Sequence, residues 1–250
     1  MNKQKTVFLL IFFAGLPFLN YAQASKDSAI ILFKNVIENY QNTHYLSFNI
    51  EYTYTEDEKP NIAAETIQGQ MKMNKENYHL ILGNTETIHT DKYNITLFKD
   101  DSLIYISKAS VGKITANPVS MLDSMLIKIK NIEISLTHKR KVQTIVLDFP
   151  KGMNYKTATF MIDEKTKYLL QVSYRLNALE MVDAAARNSE ARDSLANEWG
   201  MVQSYYSGYE TGKFDDNEFD EKKYFTKNGK EFKPTEAYKQ YKIFLASPGL

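Results

Sequence analysis

The chain has 250 residues, of which 43% are hydrophobic and 24% charged, a globular composition with enough apolar content for one sizeable core. Its 31 lysines and arginines nearly balance 30 aspartates and glutamates, and that balance argues against nucleic acid or an anionic membrane surface as the main partner. There is no cysteine. Neither disulfides nor lipid attachment through a thiol is available, so stability rests on packing.

The first residues read as a secretory signal. Lys3 and Lys5 form a basic start, Val7 to Leu19 an apolar run broken by Gly15 and Pro17, and Ala22-Gln23-Ala24 a small-residue cleavage site. The apolar run is shorter than the ~20 residues a membrane span needs, so cleavage after Ala24 is expected, leaving no stable membrane insertion. The mature chain then carries 29 basic and 30 acidic residues once Lys3 and Lys5 are gone.

Ser25 or Asp27 can cap a helix whose apolar residues, Ile30, Phe33, Val36, Ile37 and Tyr40, recur at helical spacing. The stretch His44 to Thr55 then alternates with a period of two. Leu46, Phe48, Ile50, Tyr52 and Tyr54 point one way, while Tyr45, Ser47, Asn49, Glu51 and Thr53 point the other. Short strands follow at Glu65–Asn74, Asn77–Leu82, Glu86–Thr90, Tyr93–Lys99 and Ser102–Lys108, separated by turn-like pieces such as Gly83-Asn84 and Asp100-Asp101.

After the loop Ala109–Pro118, Met121, Leu122, Met125, Leu126 and Ile129 fall at helical spacing. Strands resume at Asn131–His138, Val142–Phe149, Lys156–Asp163 and Lys167–Leu176. Ala178–Trp199 reads as a helix ending at Gly200, outside the core. Met201–Glu210 returns to strand, and Asn228-Gly229 signals a type I′ hairpin. A last edge strand is expected within Tyr238–Leu245. The sum is about eleven strands and three helices, a mainly β, α+β chain.

The run Ile88 to Phe98, followed by Asp100-Asp101 and Leu103–Ile106, resembles the central hairpin of the LolA-like outer-membrane lipoprotein carriers. Gly69 to Met73 and Tyr78-His79-Leu80 are similar to that family's paired early strands, Asn117–Lys130 to its mid-chain helix, and Phe219 to the phenylalanine opening its closing segment. The resemblance covers roughly Ala29 to Phe219, as a divergent member. It implies a curved, antiparallel, incomplete β-barrel whose apolar concave face is covered by helices and holds acyl chains of lipoproteins in transit. The corresponding division is a signal peptide at 1–24, a half-barrel domain at 25–223 and a C-terminal extension at 224–250 packed on the domain.

On that reading Leu46, Phe48, Ile50, Tyr52, Tyr54, Met71, Met73, Leu80 and Leu82 share the concave face and contact lipid. Met121, Leu122, Met125, Leu126 and Ile129 form a lid, methionine being suited to variable apolar cargo. The same residues also fit a plain core. In that case the chain is an envelope interaction module that docks a protein partner through Ala178–Trp199 and the aromatic tail.

His44, His79, His89 and His138 lack ligand spacing and read as exposed or hydrogen-bonded strand residues. The acidic cluster Asp215, Asp216, Glu218, Asp220 and Glu221 lacks the glycine and spacing of a calcium loop and reads as a solvated turn. Neither G-x-S-x-G, nor H-E-x-x-H, nor a phosphate loop occurs, so no enzyme, metal or cofactor is expected. The expected location is the periplasm.

Overall fold

The computed structural model describes residues 18–56, 63–75, 77–109, 131–180 and 198–250. Helix α1 (Phe18–Asn42) leads into β1 (Tyr45–Glu56), β2 (Ala63–Asn74), β3 (Asn77–Leu82), β4 (Thr85–His89), β5 (Tyr93–Phe98) and β6 (Leu103–Lys108). Next come β7 (Glu133–Lys139), β8 (Val142–Asp148), β9 (Tyr155–Asp163), β10 (Leu169–Asn177) and β11 (Trp199–Glu210). The chain closes with β12 (Phe225–Asn228), β13 (Glu231–Pro234) and β14 (Lys242–Leu245).

Twelve of these strands make one open sheet, in the order β14-β6-β5-β4-β3-β2-β1-β11-β10-β9-β8-β7, and β12 and β13 form a separate hairpin. All neighbours are antiparallel except β14, which runs parallel to β6 with Lys242 beside Leu103 and Leu245 beside Ile106. The expected tail strand is therefore an edge strand that returns in the other sense.

The sheet must curl around α1. From β1 to β7 is five strand spacings, roughly 24 Å if flat, whereas a helix with its side chains is only ~10 Å across. Yet α1 packs on β7 while its Tyr40 ring meets Phe48 of β1 at 6.2 Å. The helical spacing seen in the sequence supplies the seal: Ala29, Leu32, Phe33, Val36 and Tyr40 are all buried. Asp27 does not cap α1, because the helix already runs from Phe18 through a stretch free of glycine and proline.

Two glycines set the local geometry of the first sheet half. A Cβ on Gly69 would lie 2.2 Å from the Ile81 carbonyl oxygen, so only glycine lets β2 and β3 approach there. Gly208, at φ +62°, occupies a register shift against Ser47–Asn49. The bulge turns Tyr209 back toward the core, where its ring stacks on Tyr168 at 4.4 Å.

Two local expectations are corrected. Trp199 and Gly200 do not end a helix; they open β11, paired with Asn177 and Leu176, because the ladder to β10 satisfies their backbone and Lys156 Nζ sits 3.9 Å over the indole. Of the expected helix Ala178–Trp199, Ala178–Glu180 form a 3-10 turn, and 181–197 lie outside the described residues. The tail hairpin pairs Asn228 with Glu231, so Gly229 and Lys230 are its central residues, and only Gly229 has positive φ. That is the pattern of a type II′ turn.

Candidate functional site

Antiparallel register decides which side chains share a face. Leu46, Phe48 and Ile50 of β1 lie opposite Met73, Met71 and Gly69 of β2, and Met71 and Gly69 lie opposite Leu80 and Leu82 of β3. With Tyr52 and Tyr54 further along β1, all nine expected concave residues occupy one face, the face toward α1. They divide by burial. Leu46, Phe48, Ile50, Met71 and Met73 are sealed in the core, whereas Tyr52, Tyr54, Leu80 and Leu82 are half-buried. The lid stripe Met121, Leu122, Met125, Leu126 and Ile129 lies outside the described residues.

The closed end of this face is pinned by tyrosine hydroxyls. Tyr209 OH donates to the Leu169 carbonyl at 2.8 Å and lies 2.7 Å from Tyr40 OH, which accepts from the Leu169 N–H at 3.4 Å. These bonds tie α1 to β10 and β11. Phe33 meets Phe160 edge-on at 5.1 Å. Burial pushes both phenols well above their ordinary range. At the other end, burial raises Tyr52, with a bond to Ser204 opposing it; Tyr54 is raised by burial and by the charges of Glu56 and Glu198. This face is thus rigid aliphatic and ring surface under the helix, grading into a tyrosine-lined, partly wet end.

The opposite face of β4, β5 and β6 carries a second core. Ile88, Ile95, Leu97, Ile104 and Ile106 are each 0% exposed, covered by Tyr224 and Phe225 with Phe232, Tyr238 and Tyr241 packed alongside. Between the two cores sits a polar cluster that the sequence did not disclose. His79 bonds Glu86 Oε1 through Nε2 at 3.0 Å and Glu218 Oε2 through Nδ1 at 3.2 Å. Tyr224 OH donates to Glu86 at 2.9 Å, Lys99 Nζ lies 3.3 Å from Glu86 Oε2, and Lys72 Nζ donates to Glu218 at 2.8 Å.

Glu86 is 8% exposed. Burial alone would raise its pKa, but the bonds from His79, Tyr224 and Lys99 and the charge of His79 outweigh it and hold the carboxyl at about 2. The cluster is a charge-satisfied clamp joining β2, β3 and β4 to the segment after β11. The acidic run belongs to the same clamp. Asp215 and Asp220 cap the 3-10 turns Asp216–Phe219 and Glu221–Lys223, while Glu221 faces Lys92 at 3.7 Å. Lys72, His79 and Glu86 stood on wet faces of their strands, and only the third dimension brings Glu218 and Tyr224 to them.

His79, His89 and His138 are hydrogen-bonded strand residues, whereas His44 is exposed just before β1. His89 stacks on Tyr78 at 5.1 Å and bonds Asn94, and His138 Nε2 lies 3.0 Å from Glu164.

The architecture is an open and curved antiparallel half-barrel with a helix in its concavity. No family model matches the sequence, and no curated protein matches it. Several solved structures are similar. An uncharacterized conserved protein from Thermus thermophilus shares 9% identity over 88% of this chain and 99% of its own, with a TM-score of 0.48. The lipoprotein LppX from Mycobacterium tuberculosis shares 10% over 76% and 99%, at 0.41. A LolA superfamily protein from Nitrosomonas europaea shares 10% over 76% and 97%, at 0.33. Likeness of that size transfers no function.

Proposed function

We propose that the protein is a soluble periplasmic carrier of the LolA-like type, exported by the segment 1–24, that shields acyl chains of lipids or lipoproteins on its concave face. The observation that carries the reading is the uneven burial of that face: Tyr52, Tyr54, Leu80 and Leu82 stay half-buried beside a completely packed row. An acyl chain laid along them gains ~0.8 kcal/mol per methylene covered. Displacement of a fluorescent fatty acid tests this. Leu80→Ser with Leu82→Ser should weaken binding with little loss of stability. A folded protein that neither binds the probe nor copurifies with lipid overturns the reading. The stripe Met121 to Ile129 is proposed as the displaceable cover, so Met125→Ala should alter lipid affinity at little cost to stability.

The second reading, a filled half-barrel that docks an envelope protein, is favoured by the sealing of Leu46, Phe48 and Met71 beneath α1. It requires a partner lost on removing residues 224–250 and no lipid binding by the intact chain.

A further inference from the structure

Overall charge balance conceals one strongly basic tip. Strands β7 and β8 are joined by a two-residue turn, since Lys139 pairs with Val142. Strands β9 and β10 are joined alongside it by the turn Glu164–Thr166, and Val142 pairs with Asp163. The two turns are fastened together. Glu164 N–H donates to the Lys141 carbonyl at 2.8 Å, and His138 pairs with Glu164. The second turn is also held to α1, where Asn39 Nδ2 donates to the Thr166 carbonyl at 2.9 Å.

This tip presents Lys139, Arg140, Lys141 and Lys165, all exposed, with Lys167 beside them. Two carboxylates, Asp163 and Glu164, stand beside these five cations. Asp163 Oδ1 accepts from Lys165 N, Thr166 N and Thr166 Oγ1 at 3.1, 2.7 and 2.8 Å, and Glu164 pairs with His138. The backbone adds a second observation. Arg140 and Lys141 hold φ at +49° and +69°, the central positions of a type I′ turn that asparagine and glycine occupy at least cost. Two long cations stand where the turn itself favours neither.

We propose that this tip is a docking surface for an anionic membrane, bound through lipid phosphate headgroups. Its exposed cations lie on two adjoining turns, an arrangement that meets a broad charged surface by summed attraction. The inference goes beyond the acyl-chain reading and stands without it.

The test is co-sedimentation of the full chain with phosphatidylcholine vesicles, with and without phosphatidylglycerol, beside the triple variant Arg140→Asn, Lys141→Gly, Lys165→Gln. The first two substitutions install the residues that the turn prefers, so lost binding cannot be laid to misfolding. Tighter binding of the unaltered chain to the anionic vesicles is expected, weakened about fivefold per charge removed, roughly a hundredfold in the triple variant. Any apolar contribution from Val7–Leu19 appears equally with neutral vesicles. Equal binding to both vesicles, or no change in the variant, overturns the proposal. So does retention on immobilised heparin without vesicle binding, which assigns the tip to a soluble polyanion. Fatty-acid displacement by the variant should be unchanged, which separates this result from the fate of the carrier reading.

Discussion

The two halves of the sheet bury opposite faces. From β3 through β1 to β7 the strands turn their apolar residues toward α1, whereas β4, β5 and β6 turn theirs toward the C-terminal segment. The strand β3 is the seam: Tyr78 and Leu80 pack with the helix side while His79 reaches the clamp on the other. A period-two strand always offers two faces, and what packs against it decides which one is core. The helix half is closed by dry contacts. The tail half is closed by apolar packing locked with buried charge, and the consequence is a different vulnerability in each.

The largest expected effect lies in the dry half. Phe33 and Phe160 are each 0% exposed, and Phe33→Ala should cost about 3–5 kcal/mol in unfolding free energy. Phe98, 36% exposed on the uncovered side of the other half, should tolerate alanine at a small fraction of that. Equal losses would mean that the two halves do not differ as described.

Acid should separate the halves next. Glu86 has its carboxyl held at about 2 in the fold against 4.5 when free, so its contribution is present above pH 4.5 and is lost as pH falls toward 2. The loss is about 3 kcal/mol. A tail-half probe, the environment of Tyr224 or Tyr238, should respond over that range before the helix half does. Glu86→Gln should flatten this limb of the stability–pH curve. An unchanged limb would show that the clamp does not govern tail docking.

The sequence made the helix half legible because its code is local. Alternation from Leu46 to Tyr54 fixed a face, and helical spacing from Ile30 to Tyr40 fixed the cover. The tail half was opaque for the opposite reason. Lys72, His79 and Glu86 had polar positions on their strands, and nothing in their spacing pointed to Glu218 or Tyr224, more than a hundred residues on. The parallel return of β14 and the strand start at Trp199 depend on neighbours too. The nine residues from Leu46 to Leu82 expected on the concave face share one side of β1, β2 and β3, but alternation carries no information on how deeply each position is covered.

A smaller effect tests how firmly α1 is held. Tyr40→Phe removes a hydroxyl lying 2.7 Å from Tyr209 OH and leaves that buried group short of a partner. The expected cost is about 1–2 kcal/mol, with faster amide exchange at the end of α1 near Asn39. A neutral substitution would make the ring packing of Tyr40, Tyr168 and Phe48 the whole attachment.

The smallest effect runs the other way and falls at the far edge of the helix half. Arg140 and Lys141 both sit at positive φ in a two-residue hairpin turn, where a side chain with a Cβ is crowded against its own carbonyl. Asparagine tolerates that region and glycine has no Cβ to crowd, so Arg140→Asn with Lys141→Gly relieves strain at both positions. Against this stands the greater freedom that glycine gives the unfolded chain. The net gain should be about 1 kcal/mol, read as a higher denaturant midpoint at unchanged slope. A loss of stability would mean that the Arg140 and Lys141 side chains make contacts worth more than the strain, and the turn would then be held for packing and not for its exposed charge.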